Sequence, residues 1–163
     1  MGVFHGGSHA RADQPSGAGG AIAADEDAID ILLVEDSYGD ALLMLQALNA
    51  ADIPYTISRI DNGDDVLPYL EKAAQEKMPD VIFLDMELPG TNGFEILERL
   101  AASRPPLQSV PIILVSAPSN FTHLKDFYDL PIQGHLTKSV NAESVKTLLS
   151  DIFGEAGRKK RGV

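Results

Sequence analysis

Between residues 28 and 153 the chain alternates two kinds of segment, and this alternation restricts the fold more than any other feature. Short β-rich apolar runs occupy Ile29–Val34, Tyr55–Ile60, 80–84, 111–115 and 132–136. Segments with helical spacing lie between them. Ala41, Leu42, Leu45 and Leu48 mark one apolar face, Val66, Leu67, Leu70 and Ala74 a second, and Phe94, Leu97, Leu100 and Ala101 a third. A weaker pattern over 119–130 points Phe121, Leu124 and Phe127 or Tyr128 inward, and Val145, Leu148, Leu149 and Ile152 carry the last helix. Asn62-Gly63 opens the second helix, Thr91 or Asn92 caps the third, and Asn141 with Glu143 starts the fifth. Pro68 requires a place close to the start of its helix, where no backbone N–H is missed.

Five strands alternating with five helices predict an α/β domain, a doubly wound five-stranded parallel sheet with helices on both faces. Ile31-Leu32-Leu33-Val34, Val81-Ile82-Phe83-Leu84 and Ile112-Ile113-Leu114-Val115 are apolar at every position, as strands buried on both sides must be.

The flanks read differently. Residues 1–27 are rich in Gly, Ala, Ser and Asp without apolar periodicity, the composition of a disordered tail. They lack the basic and apolar regions of a signal peptide, and Gly6 stands where a myristoylation motif wants Ser or Thr. Residues 154–163 end in the basic run Arg158-Lys159-Lys160-Arg161, expected to be a solvated tail. The flanks carry five basic and five acidic residues, so the whole net charge of −11 falls on 28–153. That acidity argues against a nucleic-acid surface. The longest apolar runs are far short of the roughly 20 residues of a membrane span. With no cysteine in the chain, disulfide frameworks and thiolate chemistry are excluded, and a cytoplasmic location is expected.

In doubly wound sheets the site lies beyond the carboxyl ends of the strands, beside the topological switch point. Here the first strand ends in Glu35-Asp36, the third in Asp85, the fourth in Ser116, and the fifth just before Lys138. If the first and third strands are neighbours, three carboxylates meet in one depression and demand a cation, for which Mg²⁺ or Mn²⁺ with oxygen ligands is suited. A lysine and a hydroxyl at the rim suit a tetrahedral dianion. Such a set can receive a phosphoryl group on one carboxylate.

The pattern Ile31-Leu32-Leu33-Val34-Glu35-Asp36, then Phe83-Leu84-Asp85-Met86-Glu87-Leu88-Pro89-Gly90-Thr91-Asn92-Gly93, then Ser116-Ala117, then Leu136-Thr137-Lys138 resembles a response-regulator receiver domain of two-component signalling. The likeness spans about 28–153 and implies the flavodoxin-like strand order 2-1-3-4-5. It implies that Asp85 is the phosphoacceptor, taking phosphate from a sensor histidine kinase or a histidine phosphotransfer protein. Asp36 and Asp85 would ligate Mg²⁺ or Mn²⁺, the backbone carbonyl of Glu87 would add a ligand, and Glu35 would act through a water. Ser116, the backbone of Ala117 and Lys138 would contact the phosphoryl oxygens, with His135 at the family's switch position. Such a protein is a switch rather than an enzyme, its chemistry limited to Mg²⁺-dependent self-phosphorylation and dephosphorylation. About ten residues follow the last helix, so the reading is a stand-alone receiver that signals to a downstream protein effector. The face of the fourth helix, fifth strand and fifth helix would carry partner contacts, including any homodimer. No direct nucleic-acid contact and no membrane insertion are expected.

Three positions depart from the family pattern. His135 replaces the usual Tyr or Phe, and it either alters the coupling to the output face or sits exposed at the strand end. Ser139 replaces the proline that follows the lysine; a trans Lys138–Ser139 bond is expected, because cis costs roughly 2.5–4 kcal/mol before a non-proline. Glu87 and Pro118 flank the site where they influence water access. These departures support an alternative, a receiver-like binding module that acts without phosphorylation. A metal-dependent hydrolase on a related fold is a third reading, opposed by the position of the aspartate after the third strand.

Overall fold

The computed structural model describes residues 3–6, 27–121 and 132–154. Six strands form one sheet: β1 (Val3–Gly6), β2 (Ile29–Val34), β3 (Tyr55–Ile60), β4 (Val81–Asp85), β5 (Ile112–Ser116) and β6 (Gly134–Thr137). Four α-helices lie among the described residues: α1 (Tyr38–Ala50), α2 (Val66–Ala73), α3 (Gly93–Ala101) and α4 (Ala142–Phe153). The order across the sheet is β1-β3-β2-β4-β5-β6, and every pairing from β3 to β6 is parallel. Those five strands have the expected order 2-1-3-4-5. The helical pattern over 119–130 falls mostly outside the described residues; its start is a 3₁₀ turn, Pro118–Phe121.

Period-two alternation divides the core into two layers. Ile29, Ile31 and Leu33 of β2 pack with Ala41, Met44, Ala47 and Leu48 of α1 and with Val145 and Leu149 of α4. Leu32 and Val34 face the other way, onto Val66 and Leu70 of α2 and Ile96, Leu97 and Leu100 of α3. Every residue of β4 and β5 is buried, as their unbroken apolar runs require. Two expected faces are rotated. In α1 the buried side is Ala41, Met44, Ala47 and Leu48, leaving Leu42 exposed; in α3 Ile96 takes the inward place and Phe94 is exposed. Both helices are apolar on more than one side near these positions, so spacing alone does not select the face.

The tail expectation is corrected at its beginning. Val3–Gly6 pairs antiparallel with β3, from Val3 opposite Ile60 to Gly6 opposite Ile57. Without it β3 would present an open row of backbone donors and acceptors, and a short strand of Val3 and Phe4 satisfies them. Residues 7–26 and 155–163, with the basic run, lie outside the described residues.

Caps end the helices as the sequence suggests. Asn92 accepts from Glu95 N while the Glu95 carboxylate accepts from Asn92 N, a reciprocal capping box. Asn141 accepts from Ser144 N at the head of α4, and Asn62 caps a 3₁₀ turn, Gly63–Asp65, that leads into α2. Pro68 is the third residue of α2, within the first turn, where its missing N–H costs nothing.

The loops at the carboxyl edge of the sheet are locked to one another. The Asp64 carboxylate accepts from Thr91 N (2.9 Å) and Thr91 Oγ1 (2.7 Å), and Gly63 N donates to Pro89 O (3.0 Å). Those bonds hold the Asp64 carboxyl below its ordinary value. Gly63 permits the approach because a Cβ there would lie 1.6 Å from Thr91 O, a backbone atom that cannot step aside. Gly63→Ala is therefore expected to lower stability by about 3 kcal/mol. Urea denaturation reads this directly, and an unchanged midpoint would contradict the packing described.

Candidate functional site

The site is built where β2, β4 and β6 end. Glu35 directly follows β2, and its N–H continues the ladder to Ile60 O (2.9 Å). Asp85 is the last residue of β4 and Lys138 directly follows β6. Glu35 and Asp85 are each only 3% exposed, whereas Asp36 is open to solvent. Carboxylate oxygens of Glu35, Asp36 and Asp85 lie within 4.8 Å of one another. At that spacing each ionised pair costs about 3–4 kcal/mol with an effective dielectric constant of about 20.

Lys138 answers part of that repulsion. Its Nζ lies 2.8 Å from Glu35 Oε1, 2.9 Å from Asp40 Oδ2 and 3.0 Å from Asp85 Oδ2. The second oxygens of Asp85 and Glu35 are also held: Asp85 Oδ1 accepts from Glu87 N (3.0 Å), and Glu35 Oε2 from Ser37 N (3.2 Å). Burial alone would lower the Lys138 ammonium, but its bonds to Glu35, Asp40 and Asp85 outweigh that and raise it above its ordinary value. One lysine does not neutralise the group. Burial, with the neighbouring Asp85 carboxyl, pushes Glu35 up to about 8 despite its bond to Lys138.

Around this centre the other expected residues are distributed unevenly. Ser116 ends β5, between β4 and β6, and is 1% exposed; its carbonyl accepts from Lys138 N at 2.9 Å. Ala117 follows, half-buried. Glu87 meets Asp85 through its backbone amide. His135 stands apart, exposed on β6 in register with Leu114, bordering a recess with Glu143, Ser144, Thr147 and Asp151 of α4. The Lys138–Ser139 bond is cis, against the expectation of trans. Lys138 is held at its amide by Ser116 and at its ammonium by three carboxylates, so tertiary contacts decide the conformation that local preference would not.

Two residues of the site were not foreseen. Asp40 lies in the first turn of α1, just past the Ser37 N-cap, and its carboxylate reaches Lys138 Nζ in the same pocket. Arg59 is a cation in an otherwise strand-like run; its Nε donates to Glu35 O (2.8 Å) and its Nη2 to Asp36 O (2.9 Å). The sequence signal for Asp40 is no more than its place in the first turn of the helix that follows Glu35-Asp36. Nothing in the sequence says where Arg59 reaches.

Three crowded oxygen donors with one incomplete counter-ion fit a hard divalent cation such as Mg²⁺ or Mn²⁺. Asp36, Asp85 and, at longer reach, Glu35 are the residues that would hold it. Gly93 seats α3 against this edge: a Cβ there would lie 2.7 Å from Asp85 O and 2.8 Å from Met86 Cα.

The raised Glu35 has a measurable consequence in metal-free protein. Glu35 holds its proton more tightly folded than unfolded, so its contribution to stability is fully present below its ordinary value of 4.5. That contribution is lost as the pH rises through about 8. Denaturation in EDTA between about pH 5 and about pH 9 should therefore show wild type losing stability, on the order of a few kcal/mol, relative to Glu35→Gln. Parallel pH profiles would refute the burial argument.

Comparison with known proteins places this geometry. Residues 31–150 match the model of the response regulator receiver domain. Response regulator Rcp1 of Synechocystis sp. is 27% identical over 125 residues, covering 75% of this chain and 84% of its own. The Mn(2+)-bound form of Rcp1 superposes with a TM-score of 0.63 at 26% identity, over 78% of this chain and 95% of that one. The bacteriophytochrome response regulator RtBRR gives 0.68 at 28% identity, over 77% of this chain and 78% of its own. The phosphorylated cyanobacterial phytochrome response regulator RcpA gives 0.62 at 29% identity, over 77% and 91%. With most of its length matched in sequence and its acidic pocket at the carboxyl edge of the same fold, the chain belongs to the response regulator receiver domain family.

Proposed function

We propose that this receiver is a cytoplasmic signalling switch in which Asp85 takes a phosphoryl group from a phosphohistidine of a sensor kinase or phosphotransfer protein. The observation that carries the reading is the position of Asp85. It is buried at the end of β4, with Lys138 Nζ 3.0 Å from one oxygen and two further carboxylates within 4.8 Å. Likeness to a Mn(2+)-bound and to a phosphorylated response regulator supports it.

In the transfer an Asp85 oxygen forms the new O–P bond as the P–N bond to the donor imidazole breaks, and the imidazole leaves with a proton. A divalent cation held by Asp36, Asp85 and the Glu87 carbonyl, with Glu35 acting through a water, would supply charge neutralisation for the phosphoryl oxygens. Lys138 supplies a second positive charge already on Asp85, and the Ser116 hydroxyl and Ala117 amide offer donors from the neighbouring strand end. Acyl phosphate formation is stoichiometric, so the protein acts as a switch rather than as an enzyme turning over a separate substrate. New charge-assisted bonds bias the packing of β5 and β6, and a population shift there is read out by protein contact. The net charge of −11 favours protein partners over nucleic acid.

Intact-protein mass after incubation with acetyl phosphate and Mg²⁺ tests the reading. Wild type should gain one phosphoryl group, and neither Asp85→Asn nor wild type in EDTA should gain it. A folded wild-type protein that gains nothing would reverse the conclusion and favour a module that binds partners unphosphorylated.

A further inference from the structure

The receiver reading assigns no role to Arg59, yet this is the one buried basic side chain among the described residues. It is the fifth residue of β3, in register with Leu33 of β2, and only 8% exposed. Its guanidinium reaches past the end of β2 and spans two consecutive carbonyls, from Nε to Glu35 O at 2.8 Å and from Nη2 to Asp36 O at 2.9 Å. The Tyr38 ring, at the head of α1, lies 5.8 Å from the guanidinium carbon. The backbone that carries the acidic pair is therefore gripped by a planar two-pronged donor, whose guanidinium in turn lies over an aromatic ring.

We propose that Arg59 is a positioning residue for the divalent cation, setting the turn at Glu35-Asp36 so that both carboxylates face Asp85. The inference rests on the receiver reading for the identity of the site, and its physical content is separable from it. Burying a guanidinium is costly unless its donors are satisfied, and here two of them are satisfied by carbonyls of residues that carry the candidate ligands. Lysine, a point charge with no fork, cannot span two carbonyls in the same way. The sign of the effect discriminates between roles. If Arg59 acted only through its charge, it would repel a cation, and its removal would tighten binding. If it positions the ligands, removal loosens the turn and weakens binding, by the tenfold or more typical of groups that orient metal ligands.

Calorimetric titration of Mg²⁺, and of Mn²⁺, into the full chain decides the matter, using wild type, Arg59→Ala and Arg59→Lys. Circular dichroism and urea denaturation establish that each variant is folded. The expected result is about a tenfold or greater loss of affinity in Arg59→Ala and an intermediate loss in Arg59→Lys. Should Arg59→Ala fail to fold, a loss of affinity in folded Arg59→Lys carries the proposal, and unchanged affinity there overturns it. Affinity equal to or tighter than wild type in folded Arg59→Ala overturns it, as does a wild type that binds neither ion. The phosphorylation experiment is independent. Wild type that binds metal but takes no phosphate sinks the switch reading, while the titrations still judge Arg59.

Discussion

The carboxyl edge of the sheet depends on one ammonium group. Lys138 Nζ lies within 3.0 Å of Glu35, Asp40 and Asp85, which come from the end of β2, the first turn of α1 and the end of β4. The lysine itself follows β6, and β5 stands between β6 and β4. Its chain must therefore lean across the end of β5, and the bond from its amide to Ser116 O fixes where it starts. Buried charges are tolerated only when paired, so the lysine and the acids require one another. The pairing is also unequal. An excess of negative charge remains, which adds to burial in pushing the Glu35 carboxyl up and suits the site to a cation.

That imbalance is the functional property of the site. A pocket that was neutral with one lysine would have no use for a divalent ion, and one with no lysine would leave Asp85 without a counter-charge on its Oδ2. The arrangement instead gives each Asp85 oxygen a donor, Lys138 on one and the Glu87 amide on the other. The loops that present these groups are tied laterally by Asp64 and Thr91 and by backbone approaches at Gly63 and Gly93.

Much of this was legible in the residues. The β2 and β3 boundaries, Ile29–Val34 and Tyr55–Ile60, follow from apolar runs, and the buried strands follow from runs without alternation. Caps at Asn92 and Asn141 follow from local hydrogen-bond chemistry, which needs only neighbours in sequence. Other features were hidden for equally physical reasons. Leu42 and Phe94 turned outward because their helices offer more than one apolar side. The strand at Val3–Gly6 exists through its pairing with β3, across more than fifty residues, in a stretch whose composition reads as a tail.

The sequence by itself determined the alternation of strand and helix, the order of the acidic, hydroxyl and basic groups along the chain, and their place at strand ends. Each of those is a property of local periodicity or of position within an element. The tertiary structure alone decided that Asp40 shares Lys138, that Arg59 grips the carbonyls of Glu35 and Asp36, and that the Lys138–Ser139 bond is cis. The reason is common to all three. The partners are brought together by sheet order and helix docking, and the energy that fixes them belongs to contacts between segments far apart in the chain.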